Sequence, residues 1–259
     1  MPLVSPEVFA KQELAAVQDY SILSWRAIIN IFSGPRYWAD IFTQMDSIGV
    51  GSMPIVVLTG FFTGCVLALQ SATSLQAFGS VSLTGNLVAL SMVKELGPVL
   101  TGLMVSGRNA SGMASELGSM KVTEQIDAMR ALGTDPIRKL VTPRLYATVF
   151  MLFFLTIVAN AVGIAGGAMV SVGMLGLNAS SYFHNSYRAL AYGDVVQGLT
   201  KPLFSGFIIA TVGCYFGMNT KGGTQGVGRA TTQAVVVSSV FIIIVDFIVS
   251  RAMIGIFGK

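Results

Sequence analysis

Charged side chains inside strongly apolar segments are the residues of this chain that could do chemistry. Lys94 and Glu95 stand side by side after a run, from Ser47 to Val93, that contains no charged residue. Asp246 interrupts a second apolar run, and Lys201 stands just before another. A charge at the centre of a membrane costs about 2.5–3.5 kcal/mol on insertion scales, so such residues usually face a partner or a water-filled pathway. We therefore predict that these four charges belong to a transport pathway, and mutual neutralisation that only locks helices together is the alternative.

Helix geometry limits which of these charges can pair with one another. Lys94 and Glu95 lie about 100° apart around a helix, so they need not pair with each other. Lys94 and Asp246 form a candidate cross-helix pair. Pro98, just after Glu95, predicts a kinked helix of the kind that lines cavities, so we add it to the predicted pathway. For Lys201, snorkelling from the outer end of a span is the alternative.

The other reactive residues do not assemble an enzyme or a metal site. His184 is the only histidine, and Cys65 and Cys214 both lie in apolar segments, where disulfides and metal sites are not expected. The glycine-rich stretch 222–228 follows an apolar span rather than a β-strand, so it predicts a flexible cytoplasmic turn and not a nucleotide site. We expect no catalytic residue, no metal, no cofactor and no nucleic-acid partner.

The composition requires membrane-spanning helices to position these charges. Of 259 residues, 53% are hydrophobic, only 11% are charged and 29 are glycine, and the mean hydropathy is +0.71. Small residues are typical of packed membrane helices. The predicted fold is therefore all-α and integral to a membrane. Runs of about 20 apolar residues predict five spans, at about 48–73, 83–105, 145–172, 202–219 and 230–254.

The residues before the first span predict helices that lie at the membrane surface. Ile22, Trp25, Ile29 and Phe32 recur at helical spacing, and Pro35 can open a second amphipathic helix. We divide the chain into an amphipathic interfacial region, 1–47, and one membrane domain, 48–259. Packing of the amphipathic helices on the spans is an alternative that is compatible with this one. A re-entrant segment in place of span two is a further alternative, since glycines and charges weaken its hydropathy.

Lysine and arginine indicate the orientation. With the N-terminus in the cytoplasm, eleven of these residues are cytoplasmic and four, Arg188, Lys201, Arg251 and Lys259, are on the far side. The excess of basic residues inside is the usual bias of membrane proteins. We therefore expect the C-terminus to lie outside.

The loop between spans two and three is expected to be ordered. Residues 121–132 alternate apolar and charged positions as a short amphipathic helix does, and Gly133 is a suitable helix end. No Gly-x-x-x-x-Gly-Lys-Ser/Thr pattern occurs in the sequence, so an ATPase would have to be a separate chain. A short amphipathic helix fits a groove on such a partner. Its predicted coupling residues are Lys121, Glu124, Gln125, Asp127, Met129 and Arg130.

Several motifs resemble those of one transporter family. They are the stretch 94–98 (Lys-Glu-Leu-Gly-Pro), Gly107-Arg108, the stretch 116–129, Asp135-Pro136 and Pro143-Arg144. Together they are similar to the signature of MlaE-type ABC transporter permeases, the membrane subunits of MCE-linked lipid transport systems, and the similarity extends over essentially the whole chain. Lys94 stands where many relatives carry arginine, which keeps the charge but not the planar fork.

The resemblance implies an assembly and a location. It implies a homodimer of this chain, clamped by cytoplasmic ATPases and joined to a hexameric ring of MCE domains outside. It also implies that the complex lies in a bacterial inner membrane. There it would move phospholipid or a related lipid between that membrane and the periplasmic MCE conduit, maintaining outer-membrane lipid asymmetry. Two other functions fit the residues: a proton-coupled secondary transporter in which Glu95 and Asp246 titrate, and a structural anchor for an envelope-spanning complex.

Overall fold

The computed structural model describes residues 6–32 and 37–257, with side chains for 14–31 and 37–255, and the described part consists of helices joined by turns and short loops, with no strand. Lys259, Gly34 and Pro35 lie outside the described residues. The helices are α1 (Pro6–Phe32), α2 (Trp38–Met45), α3 (Gly51–Gln76), α4 (Thr84–Ser91), α5 (Gly97–Val105), α6 (Ser111–Val122), α7 (Gln125–Ala131), α8 (Thr142–Gly173), α9 (Ala179–Ala189), α10 (Tyr192–Met218) and α11 (Gly223–Phe257).

Five helical segments of the described chain are long and apolar enough to cross a membrane, which confirms the predicted all-α, five-span fold. They are Trp38–Gln76, Val81–Val122, Ile137–Gly173, Tyr192–Met218 and Gly223–Gly255. Span two is one continuous helical segment, which is the geometry of a crossing helix and not of a re-entrant loop. Span four begins ten residues before its predicted start, because Asp194 and Lys201 lower the hydropathy of its first turns.

Short π-helical turns join several of these helices. Turns at Asp46–Val50, Met92–Leu96, Ser106–Ala110 and Ile137–Val141 lie within or at the start of longer helical segments. A π-turn adds a residue to one turn of a helix and so re-aims the side chains around it; such turns are frequent at functional sites. The turn Met92–Leu96 carries both Lys94 and Glu95, so the expected irregularity near Pro98 lies in the turn just before it.

Glycines allow α3 and α8 to pack with their backbones in contact. A Cβ atom at Gly64 would lie only 1.8 Å from the carbonyl oxygen of Gly163, and one at Gly60 would lie 2.9 Å from that of Ala159. In proteins, a Cβ atom essentially never lies closer than 3.0 Å to a non-bonded heavy atom. Spans one and three are therefore held at a separation that only glycine permits at position 64.

The N-terminal helix α1 packs on the bundle by one face. Leu23 and Ala27 are buried in the core, whereas Ile22, Trp25 and Ile29 are exposed. The hydroxyl groups of Tyr20 and Thr211 lie 2.8 Å apart and share a hydrogen bond, which joins α1 to α10. An exposed apolar face beside a packed face is what an interfacial helix requires. The second amphipathic helix, α2, continues through a π-turn into span one without a break.

Two sequence predictions on connecting segments are wrong in detail. The predicted helix 121–132 is broken, because α6 continues to Val122, Glu124 takes a left-handed backbone conformation (φ 59°), and α7 covers only Gln125–Ala131. Within the glycine-rich stretch 222–228, which was predicted to be a flexible turn, the turn is confined to Gly222 and Gly223, and the remaining residues are helical. Both glycines have positive φ, which a tight turn requires, and α11 begins at Gly223.

Candidate functional site

A network of charged side chains joins spans two, four and five. Lys201 of α10 forms an ion pair with Glu95 of the π-turn and a second one with Asp246 of α11, whose Oδ1 lies 3.0 Å from the Lys201 Nζ. Glu95 also accepts hydrogen bonds from the amide of Gln197 (3.3 Å) and the hydroxyl of Ser250 (3.2 Å). Lys201 is 2% exposed, so its charge is compensated by protein groups and not by water.

Lys94 belongs to the same region but pairs differently from the prediction. Its Nζ lies 2.8 Å from Oδ1 of Asp194, near the start of α10, and not against Asp246. The other carboxylate oxygen of Asp194 accepts a hydrogen bond from the backbone N–H of Ala191 (3.0 Å), which caps α10. The predicted Lys94–Asp246 pair is therefore wrong. Asp246 pairs with Lys201 instead, because α10, which carries Lys201, contacts both the π-turn and α11.

Close helix packing brings the members of the network together. A Cβ atom at Gly198 would lie 2.0 Å from the carbonyl oxygen of Val93, so α10 lies directly against the π-turn. Asp194, Gln197 and Lys201 follow one another at i, i+3 and i+7 and share a face of α10. That face therefore meets both charges of the π-turn. Lys94 contacts its upstream end, and Glu95 contacts its downstream end.

The network borders a cavity of about 320 Å³. Lys94, Asp194 and Gln197 line it together with Tyr192 and Met253. Glu95 is the most exposed charge of the network, with 45% of its side chain accessible, whereas the accessible fraction of Asp246 is 17%. The arrangement places one cation and one carboxylate, Lys94 and Asp194, in the lining of a cavity within an apolar bundle, which suits a charged or zwitterionic group that passes along it.

The structure brings together four of the five predicted pathway residues. Lys94, Glu95, Lys201 and Asp246 lie in the network, and Pro98 is buried in helix packing instead. Asp194, Gln197 and Ser250 were not predicted from the sequence. The low hydropathy of residues 189–201 favours an external loop for the first two, and Ser250 is an uncharged residue within predicted span five. The i, i+3, i+7 spacing of Asp194, Gln197 and Lys201 is the signal that could have identified them.

The predicted coupling residues lie on or beside α7. Ile126 of α7 is fully buried in the core and Met129 is partly buried against it, so Met129 points into the bundle and not towards a partner. The polar residues Lys121, Glu124, Gln125, Asp127 and Arg130 lie at the surface, where Leu132 is also 84% exposed.

Asp127 forms two ion pairs at this surface. Its carboxylate pairs with Lys121 (2.7 Å) and with Arg130 (3.2 Å). The hydrogen bond from the Lys121 ammonium holds the pKa of Asp127 below its usual value, so this carboxylate stays ionised at neutral pH. Lys121 therefore ties the end of span two to α7 although a helix break separates them.

Comparisons with known proteins agree with this architecture. Residues 41–252 match the family described as Permease MlaE. The chain is 42% identical over 236 residues to a probable ABC transporter permease protein of Rickettsia bellii, covering 91% of both chains. It is 37% identical over 229 residues to Protein TRIGALACTOSYLDIACYLGLYCEROL 1, chloroplastic, of Arabidopsis thaliana, covering 88% of this chain and 65% of the relative. It is 35% identical over 221 residues to the Intermembrane phospholipid transport system permease protein MlaE of Haemophilus influenzae, covering 85% of both.

Five apolar spans make this a multi-pass membrane protein, and the family match places it in the permease class. The chain belongs to the MlaE permease family, as its motifs predicted. It is the membrane subunit of an ABC transporter and not an enzyme, and ATP hydrolysis in such systems belongs to a separate subunit.

Proposed function

We propose that this chain moves phospholipid between the membrane and a conduit outside it, and that the network from Lys94 to Asp246 lies on the lipid pathway. The observation that carries the proposal is the network itself: five charged groups lie close together within an apolar bundle, and two of them, Lys94 and Asp194, line a cavity. A lipid has a charged headgroup and apolar chains, and this site offers both environments. The Haemophilus influenzae relative is named for intermembrane phospholipid transport, which supports the same substrate class.

The proposed assembly contains a second copy of this chain, a cytoplasmic ATPase and a hexameric MCE-domain conduit. Small side chains support pairing of two copies, since Gly107, Ser115 and Ser119 lie exposed on one side of the span-two segment and let another helix approach closely. The exposed polar surface of α7 supports contact with the ATPase. In this proposal the protein lies in a bacterial inner membrane with α7 in the cytoplasm and the C-terminus outside, and the transport maintains outer-membrane lipid asymmetry.

The two alternative functions receive less support. A proton-coupled secondary transporter would need no ATPase, whereas the family to which the chain belongs consists of ABC permeases. A purely structural anchor would not require a charged network beside a cavity. Phospholipid transport driven by a separate ATPase is therefore the function we test.

Replacing Glu95 with glutamine should reduce lipid transfer while leaving the complex assembled. The amide keeps an oxygen for the bonds from Gln197 and Ser250, and Lys201 retains Asp246 as its counter-charge. We expect transfer of fluorescent phospholipid between proteoliposomes and acceptor protein to fall about tenfold, as losing roughly 1.4 kcal/mol of pathway stabilisation would predict.

The control for this experiment is Asp46→Asn, which removes an exposed carboxylate outside the network. It should transfer lipid at the unchanged rate. Full transfer by a well-assembled Glu95→Gln complex would exclude Glu95 from the pathway.

Reversing the charges of Glu124 and Asp127 together should detach the ATPase. Both side chains are exposed, and lysine at position 127 would face Lys121 and Arg130 with a like charge. Because partner recognition at such a surface uses its polar contacts, we expect co-purification of the ATPase to fall at least about tenfold while the permease remains in the membrane.

The matched control is Arg188→Glu, a charge reversal on α9 away from this surface. It should leave co-purification unchanged. An ATPase that is retained by the doubly reversed variant would show that this surface does not couple the two subunits.

A further inference from the structure

Arg108 is held in a fixed position towards the C-terminal end of span two. Its Nη1 donates hydrogen bonds to the carbonyl oxygen of Ser47 (2.9 Å), the hydroxyl of Ser52 (3.1 Å) and the side-chain oxygen of Asn109 (3.3 Å). The guanidinium also lies against Gly51, where a Cβ atom would meet its Nη2 at 2.3 Å. The arginine is thus anchored by one nitrogen, and its guanidinium packs directly over the backbone of Gly51.

The charge of Arg108 is not compensated by a carboxylate of the described residues. Lys94, Lys201, Lys139 and Arg144 each lie within 4.0 Å of a carboxylate, whereas no carboxylate of the described residues lies that close to Arg108. Its Nε and Nη2 also form no hydrogen bond with described groups. A cation that is fixed but not neutralised by its own chain is preorganised for an external anion, and guanidinium binds phosphate in a bidentate fashion.

A cavity of about 250 Å³ opens beside this guanidinium. Its polar lining comes from Arg108, Asn109, Gln44, Ser47 and Glu116. Glu116 does not oppose an anion strongly, because its carboxylate is paired with Arg144 at 2.9 Å. Two π-turns, Asp46–Val50 and Ser106–Ala110, meet at the cavity and direct Ser47 and Arg108 towards each other.

The position along the helix indicates the depth of this cavity in the membrane. Fourteen residues separate Lys94 from Arg108, which corresponds to about 21 Å of helix. Arg108 follows directly after the apolar stretch of span two, and Gln44 and Ser47 belong to the segment that carries exposed Trp38 and Phe42. Exposed aromatic residues of this kind mark the headgroup level of a bilayer.

We propose that the cavity beside Arg108 binds the phosphate of a membrane phospholipid headgroup. It is a second headgroup site, distinct from the network around Lys201 and near the opposite membrane face. The free edge of the guanidinium receives the phosphate oxygens, and Gln44 and Asn109 supply further polar contacts. The proposal requires only the membrane setting of the chain, so it stands or falls separately from transport through the network.

The test uses the full chain with its ATPase in nanodiscs that contain phosphatidylglycerol bearing a photoactivatable headgroup. After irradiation, mass spectrometry of peptides measures labelling of residues 44–52 and 108–116. Arg108→Gln removes the charge. Gly112→Leu fills the cavity, since a Cβ atom there has nothing within 4 Å, and it leaves the contacts of Arg108 intact. We expect labelling to fall at least about fivefold in both variants, because Arg108→Gln removes a charge-assisted contact worth roughly 1 kcal/mol or more, and Gly112→Leu occupies the space that the headgroup would fill.

The control variant Arg188→Gln removes an exposed arginine elsewhere and should label as the unmodified chain does. Short-chain phosphatidylglycerol should compete with the probe, and inorganic phosphate at the same concentration should compete much less. Labelling that persists in Gly112→Leu would show that Arg108 only anchors the two π-turns and would overturn the site. Equal competition by inorganic phosphate would overturn its assignment to a lipid.

Discussion

Replacing Lys201 with methionine should destabilise the protein more than any other single change in the charged network. Lys201 is almost fully buried, and it is the cation of the described residues that contacts both Glu95 and Asp246. Its removal leaves two carboxylates close together without a counter-charge. Breaking a buried pair in this way costs about 3–5 kcal/mol. The lower end applies here, because Glu95 is about half exposed and water screens its charge.

Thermal unfolding and yield of the purified complex measure this effect. Lys221→Met, which removes an exposed lysine after α10, should unfold as the unmodified protein does. Adding Glu95→Gln and Asp246→Asn to Lys201→Met should restore most of the lost stability, since no uncompensated charge then remains. If Lys201→Met were as stable as the unmodified chain, the network would not hold spans two, four and five together.

Replacing Gly64 with leucine should prevent spans one and three from packing. The first side-chain atom alone would lie 1.8 Å from the backbone oxygen of Gly163, and a backbone cannot turn aside as a flexible side chain can. Helix α3 would have to move away from α8 along its length. We expect destabilisation of about 3 kcal/mol or more, at or beyond the upper end of the usual cost of overpacking. Folded yield in detergent and thermal unfolding report it.

Gly173→Leu is the matched control, because it places the same side chain at the end of α8 where a Cβ atom meets nothing within 4 Å. Its effect should stay within about 0.5 kcal/mol, as is usual for surface substitutions. Normal yield and stability of Gly64→Leu would mean that the two spans do not approach as closely as the structure shows.

For the charged residues, the cost of burial could be predicted from the sequence, but the pairing could not. The cost of placing Lys94, Glu95 and Asp246 in apolar runs is a local property, so it could be predicted from the order of residues alone. Their partners could not, because an ion pair between helices depends on helix packing and register. The pairing of Lys94 with Asp194 instead of Asp246 is a consequence of the contact between Gly198 and the π-turn.

The amphipathic segment after span two shows the same limit. Its apolar and charged periodicity predicted one helix over 121–132, and the structure has the shorter helix α7 there. The break at Glu124 and the inward position of Met129 were not predicted, because they depend on the core that receives Ile126. Periodicity identifies an apolar face, but whether that face meets a partner or the protein's own core is decided by packing.

The sequence by itself determined the class of this protein, since hydropathy, length of the apolar runs and family motifs are properties of the chain read in order. It also determined which charges are costly. Only the tertiary structure decided how span four begins, how the π-turns aim Lys94, Glu95 and Arg108, and which carboxylate meets which cation. The physical reason is that a π-turn and a glycine contact change side-chain directions over distances of a few ångström, and ion pairs form or fail over the same distances.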